Sequence, residues 1–129
     1  MENAKGYTLG EMGPLAKWDG KKFSRESLAL ASAEISFNRF PAGQTAPFVH
    51  DHKRHEEVYV VLAGGGHFSL DGELLPVKEG SVLRVAPGVK RAWKAGGEGI
   101  TFLCFQAEGD LSKGDGIRLP EIQVDWQGK

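Results

Sequence analysis

An all-β fold, either an antiparallel sandwich or a small barrel, is what this sequence predicts. Three observations carry that reading. Short runs rich in β-branched and aromatic residues recur from residue 44 onward. Turn residues separate them at intervals of roughly 8–12 residues. No amphipathic helical pattern occurs anywhere in 44–107.

The elements follow in order. Residues 1–27 are polar and punctuated by Gly6, Gly10, Gly13-Pro14 and Asp19-Gly20, and are expected to form an irregular N-terminal arm. Leu28–Glu34 is locally ambiguous, because its alanines and leucines favour helix. Ile35–Phe40 has strand character and is stopped by Pro41-Ala42-Gly43. Val58–Leu62 is β-branched and almost wholly apolar, the pattern of a buried strand, and Gly64-Gly65-Gly66 is expected to end it. His67–Leu70 alternates polar with apolar, and Asp71-Gly72 is a hairpin turn signal leading into Leu74–Val77. Ser81–Val85 lies between the turns Lys78-Glu79-Gly80 and Pro87-Gly88. Arg91–Lys94 is a short strand that Gly96-Gly97-Glu98-Gly99 is expected to close, before Ile100–Gln106 forms the last one. The barrel domain therefore spans 28–107. The extension 108–129 carries Ile117, Leu119, Ile122, Val124 and Trp126, and is expected to pack along the sheet or against a second subunit.

Composition narrows the function classes. The chain has 129 residues, enough for one domain, with 40% hydrophobic and 26% charged residues, which excludes a disordered segment. Sixteen Lys and Arg against 17 Asp and Glu leave a formal charge of −1, so nothing electrostatic points to nucleic acid or an anionic membrane as partner. The single cysteine, Cys104, excludes an intramolecular disulfide and any multi-cysteine zinc or iron–sulfur site. No apolar run approaches the ~20 residues that cross a bilayer. Met1–Gly6 lacks the basic start and apolar stretch of a secretory signal. With the lone thiol, this predicts a cytoplasmic protein.

Two surpluses remain. Glycine, at 18 residues, is about twice its usual ~7% share, and three of the four histidines fall within 50–55. In His50-Asp51-His52-Lys53-Arg54-His55-Glu56-Glu57, strand spacing would place His50 and His52 on one face. A short turn then lets a glutamate at the start of the next strand meet them. Two imidazoles and a carboxylate suit a divalent first-row metal such as Fe, Mn, Ni, Cu or Zn, with coordination positions left open. The flanking glycines are ordered around this group: Gly43, then six residues to His50, and Glu57, then six residues to Gly64.

That stretch resembles the first motif of the cupins, G-(x)5-H-x-H-(x)3–4-E-(x)6-G, with one extra residue before His50. The spacing to Gly64 selects Glu57 over Glu56 as the matching carboxylate. The stretch Gly80–Arg91, with Pro87-Gly88 shifted by one, resembles the second motif, G-(x)5-P-x-G-(x)2-H-(x)3-N. The two matches cover about residues 41–106. They imply a small antiparallel jelly-roll barrel, metal ligands at His50, His52 and Glu57, a small-molecule ligand and a homodimer. The family's chemistries include dioxygenation, isomerisation, epimerisation and decarboxylation, and the fold does not choose among them. No catalytic residue is assigned.

The departure is at position 91, where an arginine stands in place of the family's third histidine, and Lys94-Ala95 occupies the neighbourhood of its asparagine. A guanidinium stays protonated and does not ligate metals in ordinary sites. Three readings follow: Arg91 holds an anionic substrate beside a three-ligand metal; Arg91 replaces the metal and pairs with Glu57 in a metal-free small-ligand or sugar-binding pocket; or Arg91 faces solvent. Tyr59, Val61, Trp93 and Phe48 share parity with the site residues, as does Gln106 with Cys104. Of these, Tyr59, Trp93, Phe48 and Gln106 are the expected substrate-binding residues, although plain core packing would equally suit the aromatics. His55 is expected in an exposed turn, His67 on the outer face, and Cys104 as an inert buried thiol.

Overall fold

The structure, a computed structural model, describes residues 6–109, 111 and 114–127; of the expected arm and extension, residues 1–5, 110, 112, 113, 128 and 129 lie outside the described residues. Six strands form one antiparallel sheet that curls into a jelly-roll β-barrel: β1 (Gly20–Phe23), β2 (Ala33–Phe40), β3 (Glu56–Leu70), β4 (Glu73–Lys78), β5 (Val82–Val85) and β6 (Arg91–Ala107). The order across the sheet is β1-β2-β6-β3-β4, with β5 also paired to β3.

β3 and β6 make the frame. The first half of β3 lies between β5 and the second half of β6, through Glu57↔Val85 and Glu57↔Gln106. Its second half lies between β4 and the first half of β6, through Phe68↔Leu75 and Phe68↔Trp93. Residues 64–66 and 96–99 were expected to interrupt these strands, and they do not: both strands run through, with register shifts between Val61 and Ala63 and between Gly64 and Gly66. The glycines serve a close approach at the bend. A Cβ on Gly64 would overlap the carbonyl oxygen of Gly99, and Gly64 itself has φ +69°. Asp71 and Gly72, both at positive φ, close the β3–β4 hairpin as their sequence predicts.

The region expected to be an irregular arm contains β1, which pairs with β2 from Gly20↔Arg39 to Phe23↔Ser36. The helix-favouring stretch yields only a four-residue helix, α1 (Arg25–Leu28), displaced toward the N-terminus. Glu34 holds its start, with Oε1 accepting from the backbone N–H groups of Ser24 and Arg25 at 3.0 and 2.8 Å. Among the described residues of the extension, Ile117, Leu119, Ile122, Val124 and Trp126 are all exposed and do not pack along the sheet.

Residues alternating along the strands fill the barrel with Tyr59, Val61, Phe68, Val85, Trp93, Ala95, Ile100, Phe102 and Cys104. The aromatic rings interlock, with Tyr59–Phe68 centroids 4.6 Å apart and Phe40 stacked on Trp93 at 4.3 Å.

If the bend depends on backbone contact, Gly64→Ala combines a left-handed backbone penalty with steric overlap and costs about 2–4 kcal/mol. Gly80→Ala, at φ +89° with nothing within 4 Å of the added carbon, carries only the backbone penalty of about 1 kcal/mol. Denaturant midpoints of the two variants check this; equal losses would rule out the close-approach account.

Candidate metal centre

Strand parity carries Glu57 inward. It shares the inner face of β3 with Tyr59 and Val61, and all three are buried. The histidines reach the same place by another route. His50 and His52 sit on an extended segment, not in a regular strand, and that segment is stitched to the start of β6. The amide of His50 donates to the Arg91 carbonyl at 3.0 Å, the amide of Arg91 donates back at 2.9 Å, and the amide of Gly88 donates to the His52 carbonyl at 2.9 Å. The Pro87-Gly88 turn and the histidine segment are therefore one backbone unit. Ring nitrogens of His50 and His52 and a carboxylate oxygen of Glu57 all lie within 4.8 Å of one another, close enough to share one ion.

Glu57 is held on both oxygens. Its Oε1 accepts from Tyr59 Oη at 2.6 Å and from Arg91 Nη1 at 3.1 Å. Its Oε2 accepts from the Cys104 thiol at 3.4 Å and lies 3.1 Å from His52 Nε2. That last approach lacks hydrogen-bond geometry, so His52 Nε2 is a buried ring nitrogen without a hydrogen-bond partner. An orphaned imidazole nitrogen facing a carboxylate oxygen is what a two-histidine, one-carboxylate donor set leaves when no ion lies between. The residues fit a divalent metal.

Arg91 is 1% exposed and Glu57 2%, which overturns the reading in which Arg91 faces solvent. Besides Glu57, the guanidinium donates through Nη2 to the Ala86 carbonyl at 2.9 Å. The chain folds this way because Arg91 begins β6 with the parity of Trp93, and both point inward.

Burial lowers the His50 pKa below its usual 6.5; Glu57 opposes the shift, and His52, Arg91 and Lys21 add to it. His50 is thus a neutral ring with a free lone pair at neutral pH. Burial raises the Tyr59 phenol, with nearby Cys104 and Glu57 reinforcing the effect, so it remains a donor. The Cys104 thiol is pushed up to about 12 by burial and then by the Glu57 charge and hydrogen bond.

A cavity of about 270 Å³ opens onto these groups. Tyr59, Trp93, Phe48 and Gln106 all line it, together with His50, His52 and Glu57. Phe48 stands exposed at the rim, its ring 6.2 Å from that of His50. His55 stays outside the ligand group, with Nδ1 3.3 Å from Gln106 Oε1 and Nε2 3.6 Å from a Glu108 oxygen. His67 is exposed. Four lining residues escaped the sequence reading: Lys21, Phe23, Ser36 and Phe102. Lys21 and Phe23 lie on a strand whose sequence has no apolar alternation to reveal it. Cys104 was read as inert, and its bond to Glu57 could have been anticipated only from its parity with Gln106.

A cupin-domain family model matches residues 37–105. Among solved structures, the chain is 36% identical to a cupin protein from Bacteroides fragilis, with TM-score 0.76, covering 94% of this chain and 98% of that one. An RmlC-like cupin protein from Desulfovibrio desulfuricans is 26% identical, with TM-score 0.65 over 78% of this chain and 97% of that one. A protein described as a predicted oxalate decarboxylase from Thermotoga maritima shares the fold at 24% identity and TM-score 0.59, over 66% of this chain and 74% of that one. No curated protein matches the chain.

Two outcomes are expected at these groups. Arg91→Leu strands a buried carboxylate and costs about 3–5 kcal/mol. Arg84→Leu, which breaks the exposed 3.5 Å pair with Glu56, costs under about 1 kcal/mol; thermal or denaturant unfolding compares them. With its pKa near 12, Cys104 is alkylated by iodoacetamide at pH 8 more than about 100-fold slower in the native protein than an ordinary thiol. Unfolding restores the ordinary rate. Rapid alkylation of native protein would contradict the placement.

Proposed function

The chain belongs to the cupin family, and on that premise we propose that it binds a divalent first-row metal through His50, His52 and Glu57 and acts on or holds a small molecule in the barrel mouth. The observation that supports this best is the unpartnered, buried Nε2 of His52 facing Glu57 Oε2. In this reading the two carboxylate oxygens divide the work. Tyr59 and Arg91 fix Oε1, and Oε2 turns toward the histidines. When bound, the ion would supply a Lewis acid for an oxygen of the ligand. Arg91 acts through Glu57, setting its orientation and holding its charge inside the barrel. The aromatic walls from Trp93 and Phe48 exclude water and seat an apolar part of the ligand. Gln106 and Tyr59 complete the lining.

The metal-free alternative draws on one specific observation, the 3.1 Å Arg91–Glu57 pair. A guanidinium beside the ligands repels a cation, and an ion pair alone can organise a binding pocket. The reading also makes the chain a cytoplasmic homodimer, in keeping with its single cysteine in the free form and the exposed apolar residues of its extension.

Elemental analysis decides between the two. Protein incubated with Fe, Mn, Ni, Cu or Zn and then desalted is expected to retain about one equivalent of metal, and His52→Ala to retain none. Arg91→His, which removes the competing charge and adds an imidazole, is expected to bind metal more tightly. Wild-type protein that takes up none of the five metals would overturn the metal reading and leave the ion-pair pocket.

A further inference from the structure

β1 is an edge strand, and its register decides which of two adjacent, exposed lysines faces the barrel mouth. Lys21 pairs with Asn38, Asn38 with Phe102, and Phe102 with Val61. Directly opposed residues of antiparallel strands project to the same side. Asn38, Phe102 and Val61 are buried in the interior, so Lys21 stands on the inner face, at the end of that row. Lys22, opposed to Phe37, stands on the other. Lys21 lines the 270 Å³ cavity and also an adjoining one of about 410 Å³, which share Phe48, His50 and Trp93.

The charges around it leave Lys21 unmatched. Glu57 and Arg91 neutralise each other. Glu34, in the neighbouring row, turns its Oε1 to the backbone N–H groups of Ser24, Arg25 and Ile35. Among the described residues, no carboxylate lies within ion-pair distance of Lys21; its ammonium rests 5.5 Å from the centre of the Phe23 ring.

We propose that Lys21 is the specificity-determining cation of the mouth, and that it selects a small carboxylate with an apolar body. This rests on reading the mouth as the ligand site, but the role falls to Lys21 because Arg91 is buried against Glu57 and Ala86. A lone ammonium is a point charge suited to one carboxylate, whereas phosphate recognition draws on several donors. Phe23, Phe48 and Trp93 supply the apolar walls, and 270 Å³ lies at the small end of ligand sites. The competing explanation is that an inward-pointing lysine merely guards an exposed edge strand against pairing.

Benzoate and its neutral isostere benzamide separate these explanations. Calorimetric or ligand-observed NMR titration should show benzoate binding about tenfold or more tightly than benzamide. Lys21→Met should abolish that preference, leave benzamide unchanged, and be rescued in part by Lys21→Arg. Lys21→Gln serves as a second neutral variant, with melting temperature as the check on folding. The proposal is overturned if benzoate does not bind wild-type protein, if it binds no better than benzamide, or if its affinity ignores Lys21→Met. Self-association of Lys21→Met with benzoate affinity intact would assign the residue to edge protection. Metal content, measured on the same samples, separates the two readings. Lys21-dependent benzoate binding by protein that takes up no metal defeats only the metal reading. Metal-loaded protein indifferent to benzoate defeats only the Lys21 proposal.

Discussion

The contact on which the site depends is the buried pair between Glu57 at the start of β3 and Arg91 at the start of β6. At 3.1 Å and an effective dielectric near 20, its attraction is about 5 kcal/mol. That is of the same order as the several kcal/mol each ion loses on leaving water. The hydrogen bonds around the pair therefore decide whether it is tolerated. Tyr59 and Cys104 donate to the carboxylate, and the Ala86 carbonyl accepts from the guanidinium. Each of these partners sits on a different strand or loop, so bonding the two charges, with only Arg91 Nε left unpartnered among the guanidinium nitrogens, ties together β3, β6 and the turn before β6.

The same constraint explains how a chain lacking the family's third histidine retains a metal-like constellation. Arg91 does not face solvent, and it does not extend across the mouth. It backs Glu57, leaving one carboxylate oxygen near the histidines. The histidines are held in turn by backbone bonds to Arg91 and Gly88. Substitution at one position thus changes the charge beside the site without dismantling the backbone that presents His50 and His52. The unpaired positive charge at the mouth then comes from Lys21 on β1.

Much of this was legible in the sequence. The strand runs, the Asp71-Gly72 hairpin and the ordered glycines are local signals, and local signals survive without tertiary knowledge. The glycine clusters show the limit of such reasoning. Gly64–Gly66 and Gly96–Gly99 look like strand terminators, yet they are where two long strands bend across each other. A residue without a Cβ permits a turn and a close approach equally well, and only the partner strand distinguishes them. β1 was missed for a related reason: Gly-Lys-Lys-Phe has no apolar period, and it becomes a strand by pairing with β2.

By itself, the sequence determined the all-β class, the donor types at 50, 52 and 57, and the arginine at 91, while the choice of a jelly-roll barrel over a sandwich came with the resemblance of its motifs. Those follow from residue identity and short-range periodicity, which the chain carries locally. The tertiary structure decided where the charges point. Whether Arg91 met Glu57 or water, and whether Lys21 or Lys22 faced the mouth, depended on register with strands distant in sequence. In a pleated sheet a shift of one residue reverses every side chain.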